Sequence, residues 1–396
     1  MTEDTPQESL SEPEDAVPGS PESEPGFPER EPGHLDREQG LLAQVIEPTR
    51  RNVPVLDVVR IRSEWADFEV EEIPVYLPEG SGEHLYLWIE KQGVSTGQCV
   101  DQFARQLNIS ARDIGVAGQK DRHAVTRQWI SIPRSAEAKL ASISIDNVSI
   151  LSVQAHRNKL KTGHLKGNRF RLILRTDLKV SDTDIIHKVR KRMQELEASG
   201  YPAYFGSQRF GHHGSTLREG LELLSGLRRP RRSASGGNLT RLALSAVQSA
   251  HFNLVTAERV EQDTIGQVLS GDVVIRRGGT RPFLFEGELP APSEFLPAGP
   301  MWGPKMTLTA GGILDSEKCH LSRLGLDGVE FEAFGKLSEG TRRPMLEFPS
   351  CVKAEPVPGD DSAICITFEL NSGMYATTLL RELATTIIDA AIIPGT

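Results

Sequence analysis

A chain of 396 residues has room for two domains, each able to bury a core. Hydrophobic content of 38% and a mean hydropathy of −0.32 are those of an ordinary soluble protein, and no apolar run approaches the roughly 18 to 20 residues that span a bilayer. The net charge of −9 argues against a nucleic-acid partner until its distribution is read: residues 1–50 hold 13 acidic and 3 basic side chains, which leaves 41 acidic and 42 basic elsewhere, or +1. The acidity belongs to the tail.

Residues 1–45 are rich in Pro, Glu, Ser and Gly and cannot bury enough apolar surface to offset the entropy of ordering, so disorder is expected there. Such a tail is a solubilising segment or a competitor of RNA for a basic face. No charged-then-apolar leader opens the chain, and a cytoplasmic location is expected. Cys99, Cys319, Cys351 and Cys365 lie far apart with no CxxC pair, which reads as reduced thiols and implies no metal.

Order is expected to begin near Val53. The segment VPVLDVVRIRSEWADFEVEEIPVYL alternates as strands do, and HLYLWIEKQ adds another. Thr96 to Leu107 has helical spacing, with Val100, Phe103, Ala104 and Leu107 on one face and Ser95 or Thr96 as cap.

Next comes GVAGQKDRHAVTRQWISI, residues 115–132, in which an apolar run ends in a glycine turn and an alternating segment follows at once. That places Asp121 on a connection between two strands, held by rigid elements yet open to a ligand. With Lys120 and Arg122 beside it, its charge is favoured. Asp121 is a candidate nucleophile, although a turn residue or helix cap would have the same local sequence.

Strands are expected at about 148–156 and 169–175, flanking HRNKLKTGHLKGNRFRLILR. This run holds seven Lys or Arg and no Asp or Glu, so Lys159, Lys161, Lys166 and Arg169 read as a surface for RNA backbone, with a solvated hairpin as the alternative. An amphipathic helix from Val180 to Ser199 delivers the chain to YPAYFGSQRFG, residues 201–211. There aromatics alternate with Gln208, Arg209 and glycines: flat faces for an unstacked base and donors for its edge.

From about Thr216 to Arg343 the texture changes. LTRLALSAVQSAHFNLVTAERV is strongly helical, with Leu244, Val247, Ala250, His251 and Leu254 on one face, and short Gly- and Pro-rich strands follow. A long excursion between two parts of one fold fits an inserted domain. The fold resumes with RPMLEFP, ICITFEL reads as a strand, and NSGMYATTLLRELATTI begins a helix after a glycine turn.

GVAGQKDRHAVTRQWISI resembles the central motif of the TruD family of tRNA pseudouridine synthases, whose aspartate is the catalytic nucleophile. SEWADFEVEEI with LPEGSGEHLYLWIEKQGVST, KLKTGHLKGNRF, YPAYFGSQRFG and FELNSGMYATTLLREL are similar to further motifs of that family, in the same order. The resemblance implies that Asp121 is the nucleophile and that Phe68, Phe205 and Tyr375 lie by the target nucleotide. It also puts Arg62 where a lysine is expected. Lys120, His123, Gln208 and Arg209 join Arg62 as substrate-binding candidates, and Arg62, Lys120 or Arg209 could pair with Asp121. Ala203 departs from the pattern: the family carries an asparagine there, positioned to hydrogen-bond the base or the aspartate.

The fold implied is α+β, a catalytic domain with a mixed, mainly antiparallel sheet and flanking helices over residues 46–215 and 344–396, plus an inserted α/β domain over 216–343 that grips tRNA. The substrate expected is uridine 13 in the D-arm of tRNA. A monomer is expected, with no cofactor, metal, membrane or protein partner. Two other readings stay open: a tRNA-binding or chaperone protein of the same fold with weak or no catalysis, motivated by Ala203, and a hydrolase with Asp121 as general base.

Overall fold

The computed structural model describes residues 34–181, 183–230, 236–287 and 294–391. The disorder expected over 1–45 falls, for residues 1–33, outside the described residues. A helix, α1 His34–Ile46, follows, where Leu41, Leu42, Val45 and Ile46 recur at helical spacing. Order, expected from near Val53, therefore starts earlier, and the last part of the stretch expected to be disordered is helical.

From Leu42 onward the chain forms one compact unit. Its first half runs β1 Leu56–Ile61, β2 Phe68–Pro74, β3 His84–Gln92, α2 Thr96–Leu107, β4 Gly115–Val116, β5 Val125–Pro133, β6 Val148–His156, β7 Leu165–Arg175, α3 Thr183–Ser199 and β8 Tyr201–Pro202. Then come α4 Ser215–Leu224, α5 Gly236–Glu261, β9 Val273–Arg276, β10 Pro282–Leu284, β11 Phe295–Met301, α6 Gly311–Arg323 and β12 Thr341–Pro344. The last stretch is β13 Leu346–Glu347, β14 Ser350–Val357, β15 Asp360–Asn371, α7 Ala376–Arg381 and β16 Ala384–Asp389.

The alternation that marked β2 and β7 as strands also sorts their faces. Phe68 and Val70 of β2, with Phe170, Leu172 and Leu174 of β7 and Ile364, Ile366 and Phe368 of β15, pack into one core with Val189, Met193 and Leu196 of α3 and Leu379 and Leu380 of α7. The sheet order is β14-β15-β7-β2-β5-β3-β6, with β4 added to β5 and β1 joining β16 and β7. The β2–β5 and β1–β16 pairs are parallel and the others antiparallel. This is the α+β architecture, mixed and mainly antiparallel, that the motifs implied.

Helix α2 covers the β3–β5 end. Cys99, Phe103 and Leu107 bury against Leu85, Leu87, Ile130 and Ile132. Of the two expected caps, Ser95 or Thr96, it is Ser95: its hydroxyl accepts from the Gln98 N–H at 3.2 Å, and the Gln98 side chain accepts from the Ser95 N–H at 3.1 Å. In β7, Gly167 allows a close approach of strands, since a Cβ there would sit 2.1 Å from the Leu370 carbonyl of β15.

Residues 215–344 build a second, four-stranded sheet of order β10-β9-β11-β12, along which α5 runs. The five residues read onto one face of α5 are all buried, and so are Ala243, Ala246, Phe252 and Val255, so this helix is enclosed nearly all round. The short β8–β13 pair joins the two flanks of the excursion.

The helix expected after NSGMY is only six residues long. The β-branched run Thr385–Ile388 turns the chain into β16, parallel to β1. That pairing sets Asp389 opposite Ile61, next to Arg62.

Candidate active site

The loop between β4 and β5 is fixed from several sides. The Lys120 N–H donates to Thr96 Oγ1 at 2.9 Å, and the Thr96 hydroxyl donates to Gln128 Oε1 at 2.9 Å. Lys91 of β3, only 1% exposed, donates its Nζ to the carbonyls of Asp121 at 3.0 Å and Val94 at 2.7 Å. Burial pulls this ammonium down to about 8. Arg122 donates Nε to the Gly93 carbonyl at 3.1 Å.

Lys120 turns inward, its Nζ 3.2 Å from Glu72 Oε2 in a buried pair. Burial pushes the Glu72 carboxyl up, and Lys120 opposes that shift. Of the two cations that flank Asp121 in sequence, Lys120 is thus spent on the scaffold, and Arg122 stays exposed with its Nε on a backbone carbonyl. What remains is the Asp121 side chain itself, 55% exposed.

The cation that does reach it is Arg62. Its Nη2 lies 3.0 Å from Asp121 Oδ2 and its Nη1 2.5 Å from Asp389 Oδ2, so one guanidinium bridges two carboxylates. The group is 8% exposed and sits 3.9 Å above the Phe68 ring, which braces it from below. Arg62 itself adopts a left-handed backbone, φ 58°, an uncommon conformation for a non-glycine residue. Of the three partners proposed for Asp121, Arg62 is the one in place. Arg209 instead donates to the hydroxyls of Ser249, at 3.2 Å, and Ser245.

Asp121 opens onto a cavity of about 410 Å³ whose wall includes Arg62, Lys120, Asn168, Gln208, Met374 and Tyr375. A second hollow of about 350 Å³ shares Gln208, Tyr375 and Thr377 with it and extends past Asp389 toward Arg50 and Arg381. The aromatics divide between them. Tyr375, half-buried at the start of α7, faces both. Phe205 lines only the second, edge-on to Phe252 at 5.5 Å and 6.3 Å from Tyr375, with the Arg343 guanidinium 4.3 Å over its ring. Phe68 lines the Asp121 cavity from beneath Arg62, 1% exposed and with a ring face taken by the guanidinium. It is a support for the arginine rather than an open stacking surface in this conformation.

Gln208 is exposed and borders both hollows, where an amide can reach the edge of a base. Ala203 is buried, donates its N–H to the Met345 carbonyl at 2.8 Å and lines neither cavity. His123, exposed, lies parallel to the Trp65 indole.

The basic run requires a correction. Its lack of internal carboxylates did not mean a lack of counter-charge, because neighbouring strands supply it. Arg169 of β7 meets Glu71 of β2 at 3.0 Å and Glu369 of β15 at 2.8 Å, Arg171 meets Glu69 at 2.8 Å, and Arg175 meets Asp67 at 2.8 Å. Directly opposed charges of this kind stabilise strand pairing. Arg157 pairs with Glu79 at 3.0 Å, and Lys159 donates to the Arg112 carbonyl. Lys161 and Lys166 are exposed with no carboxylate partner among the described residues.

Four residues at this site escaped sequence reading. Asp389 and Arg343 come from segments whose local sequence carries no motif, and only the tertiary pairing of β1 with β16 and the return of the chain from the excursion bring them in. Lys91 sat within a strand pattern, where a lysine at an inward position is the signal that was available. Trp65 lay inside a quoted motif, one turn ahead of Phe68.

No group of three or more His, Cys, Asp or Glu that could hold a metal ion occurs among the described residues, and none of their helices is long and apolar enough to cross a membrane. The family model described as tRNA pseudouridine synthase D (TruD) matches residues 58–227 and 233–383. The tRNA pseudouridine synthase D of Anaeromyxobacter dehalogenans is 39% identical over 328 residues, covering 80% of this chain and 90% of that one. A counterpart from Thermus thermophilus is 35% identical over 328 residues, covering 81% and 87%. In three dimensions, the crystal structure of a Methanosarcina mazei protein described as TruD matches with a TM-score of 0.67 at 22% identity, covering 87% of this chain and 97% of that one, which shows the fold.

The class of the chain follows: it is a pseudouridine synthase, an isomerase. Within that class it belongs to the TruD family.

Proposed function

We propose that this chain converts uridine to pseudouridine in tRNA, at position 13 of the D-arm, with Asp121 as the nucleophile. The observation that carries the reading is the Asp121 carboxylate, exposed at the cavity and clamped by the buried Arg62. A uridine inside a folded arm hides its C1′, so the nucleotide must leave its stack and enter the cavity. The N1–C1′ bond then breaks, the detached uracil turns, C5 bonds to C1′, and the proton lost from C5 is balanced by one gained at N1. Asp121 attacks C1′ or elicits a glycal by removing a neighbouring proton, and either route uses the same carboxylate.

Arg62 orients that carboxylate through Nη2, while its second hold on Asp389 keeps the guanidinium from following substrate. Tyr375 supplies a flat face and Gln208 an amide for the base, in the place of the amide that Ala203 lacks. Residues 216–343 act as an inserted domain gripping tRNA against the catalytic part, and the exposed Lys161 and Lys166 meet its backbone. The chain works as a cytoplasmic monomer without a cofactor.

Carbodiimide-based mapping of a tRNA transcript carrying uridine 13, after incubation with wild type and Asp121→Ala, tests this. A stop at position 13 with wild type alone is the expected result. A stop elsewhere overturns the site, and a stop with both proteins overturns the nucleophile. No stop with tRNA still bound leaves a binding protein of the same fold.

A further inference from the structure

Beside the Asp121 cavity lies a third depression, about 730 Å³, that meets it at Arg62 and whose wall includes Glu64, Trp65, Gln92 and His123. Nothing in the isomerisation just described uses it. Trp65 is the one exposed residue among the four tryptophans, 41% open to solvent, whereas Trp129 and Trp302 are buried and Trp88 is partly covered. A ring of this size left in water beside an active centre calls for a partner.

The indole is not loose. The imidazole of His123 lies parallel to it, with ring centroids 5.6 Å apart and planes 5° from parallel. Gly93 backs the six-membered ring so closely that a Cβ there would lie 3.4 Å from the indole edge, and Arg122 pins the Gly93 carbonyl. Trp65 also opens a short 3₁₀ turn, Trp65–Asp67, that the Asp67 carboxylate fixes by accepting from the Glu64 N–H at 3.0 Å. The result is a rigid flat surface, two residues along the chain from Asp121 on its His123 side, with a guanidinium at its border. Rigid aromatic faces next to cationic groups are how proteins hold unstacked bases.

We propose that Trp65, braced by His123 and Gly93, is a stacking platform for the base of a nucleotide adjoining the uridine that enters the Asp121 cavity. The proposal rests on the reading of the cavity as the uridine site, and it adds a second base-binding position. A nucleotide flipped into one hollow exposes the face of its neighbour, and the platform replaces the stacking partner that neighbour has lost. Because every base offers a π-face, the platform fixes the register of the RNA strand without reading its sequence.

The test combines turnover with intrinsic fluorescence on the full chain. For a transcript carrying uridine 13, Trp65→Ala raises KM by about 5- to 100-fold, the size expected of one stacked base, and changes kcat by about twofold at most. Trp65→Phe recovers most of the loss. With an abasic residue replacing the base on one side of the target, wild type and Trp65→Ala converge in KM, which identifies the stacked neighbour. An unchanged KM in Trp65→Ala, or the same loss on transcripts abasic at either flank, overturns the platform. Titration with the transcript quenches wild-type tryptophan emission and leaves that of Trp65→Phe nearly constant, independently of turnover. Quenching without any pseudouridine would keep the platform and sink the uridine reading. Pseudouridine formation without quenching would do the reverse.

Discussion

Two charged regions of this molecule looked alike as sequence and differ as structure. The segment Gln119–His123 and the segment His156–Arg175 are both rich in cations. In the first, Lys120 is consumed by Glu72, Arg122 stays exposed and holds a backbone carbonyl, and a distant arginine, Arg62, takes over the carboxylate that they seemed to guard. In the second, Arg169 and Arg171 are matched by glutamates one strand away, and Arg175 by Asp67 in the turn before β2. Charge in a sequence is a count, and what a substrate meets is the part that the fold leaves unpaired.

The steepest way to break the comparison is at Asp121. It is the carboxylate whose scaffold is spent on positioning it, so Asp121→Asn lowers pseudouridine formation by at least about 10³-fold while tRNA affinity stays within about twofold, read by single-turnover assay and filter binding. Retained turnover would put the reacting group elsewhere.

Arg62 comes next, because its guanidinium is one group with two jobs. Arg62→Ala removes the clamp from Asp121 and leaves the partly buried Asp389 without its cation, and a loss of about 10² in kcat is expected. Arg62→Lys is milder but incomplete, since one ammonium on a flexible stem cannot hold two carboxylates in a planar fork. If Arg62→Lys matched wild type in kcat, the bridge to Asp389 would have no part in positioning Asp121.

Lys91 sharpens the point about buried cations. Lys91→Met removes a donor to the Asp121 carbonyl, and about a 10-fold fall in kcat with little change in KM is expected of a positioning residue. Its pH signature is separate. The folded value of about 8 lies below the ordinary 10.5, so between those limits the unfolded chain binds more protons and stability rises with pH. Burying the charge costs most below pH 8 and is relieved toward 10.5. In thermal melts over that window, wild type therefore gains on Lys91→Met as pH rises, and a constant gap would show that Lys91 is not buried as a cation.

Much of this was legible in the sequence. The period-2 runs gave the sheet, the spacing from Thr96 with Ser95 or Thr96 as cap gave the start of α2, and the glycine turn before an alternating segment put Asp121 on its loop. What was hidden is non-local. Arg62 and Asp121 are 59 positions apart, and Asp389 arrives only because Thr385–Ile388 favour a strand over a continued helix and pair with β1. The covering of Phe68 follows from the left-handed turn at Arg62, and no local pattern announces φ 58° at an arginine. The charge balance of β7 was invisible for the same reason, since a strand's counter-ions lie across the sheet rather than along the chain.

That last difference yields the smallest effect and the most direct contrast. Each phosphate neutralised by a lysine releases counterions, so Lys161→Ala with Lys166→Ala should flatten the slope of log affinity against log salt by about 1 to 2 and weaken tRNA binding at low salt. Arg169→Ala with Arg171→Ala removes two cations as well, but those already face Glu71, Glu369 and Glu69. Their removal leaves carboxylates that the RNA must approach, and exposed pairs of this kind contribute only about 0.2 to 1 kcal/mol each to stability. The expected outcome is a salt slope close to wild type, with affinity lowered by a small repulsion and a slight fall in melting temperature. Equal flattening by the two double variants would mean that the glutamates release their arginines to the RNA, and the unpaired lysines would then lose their special standing.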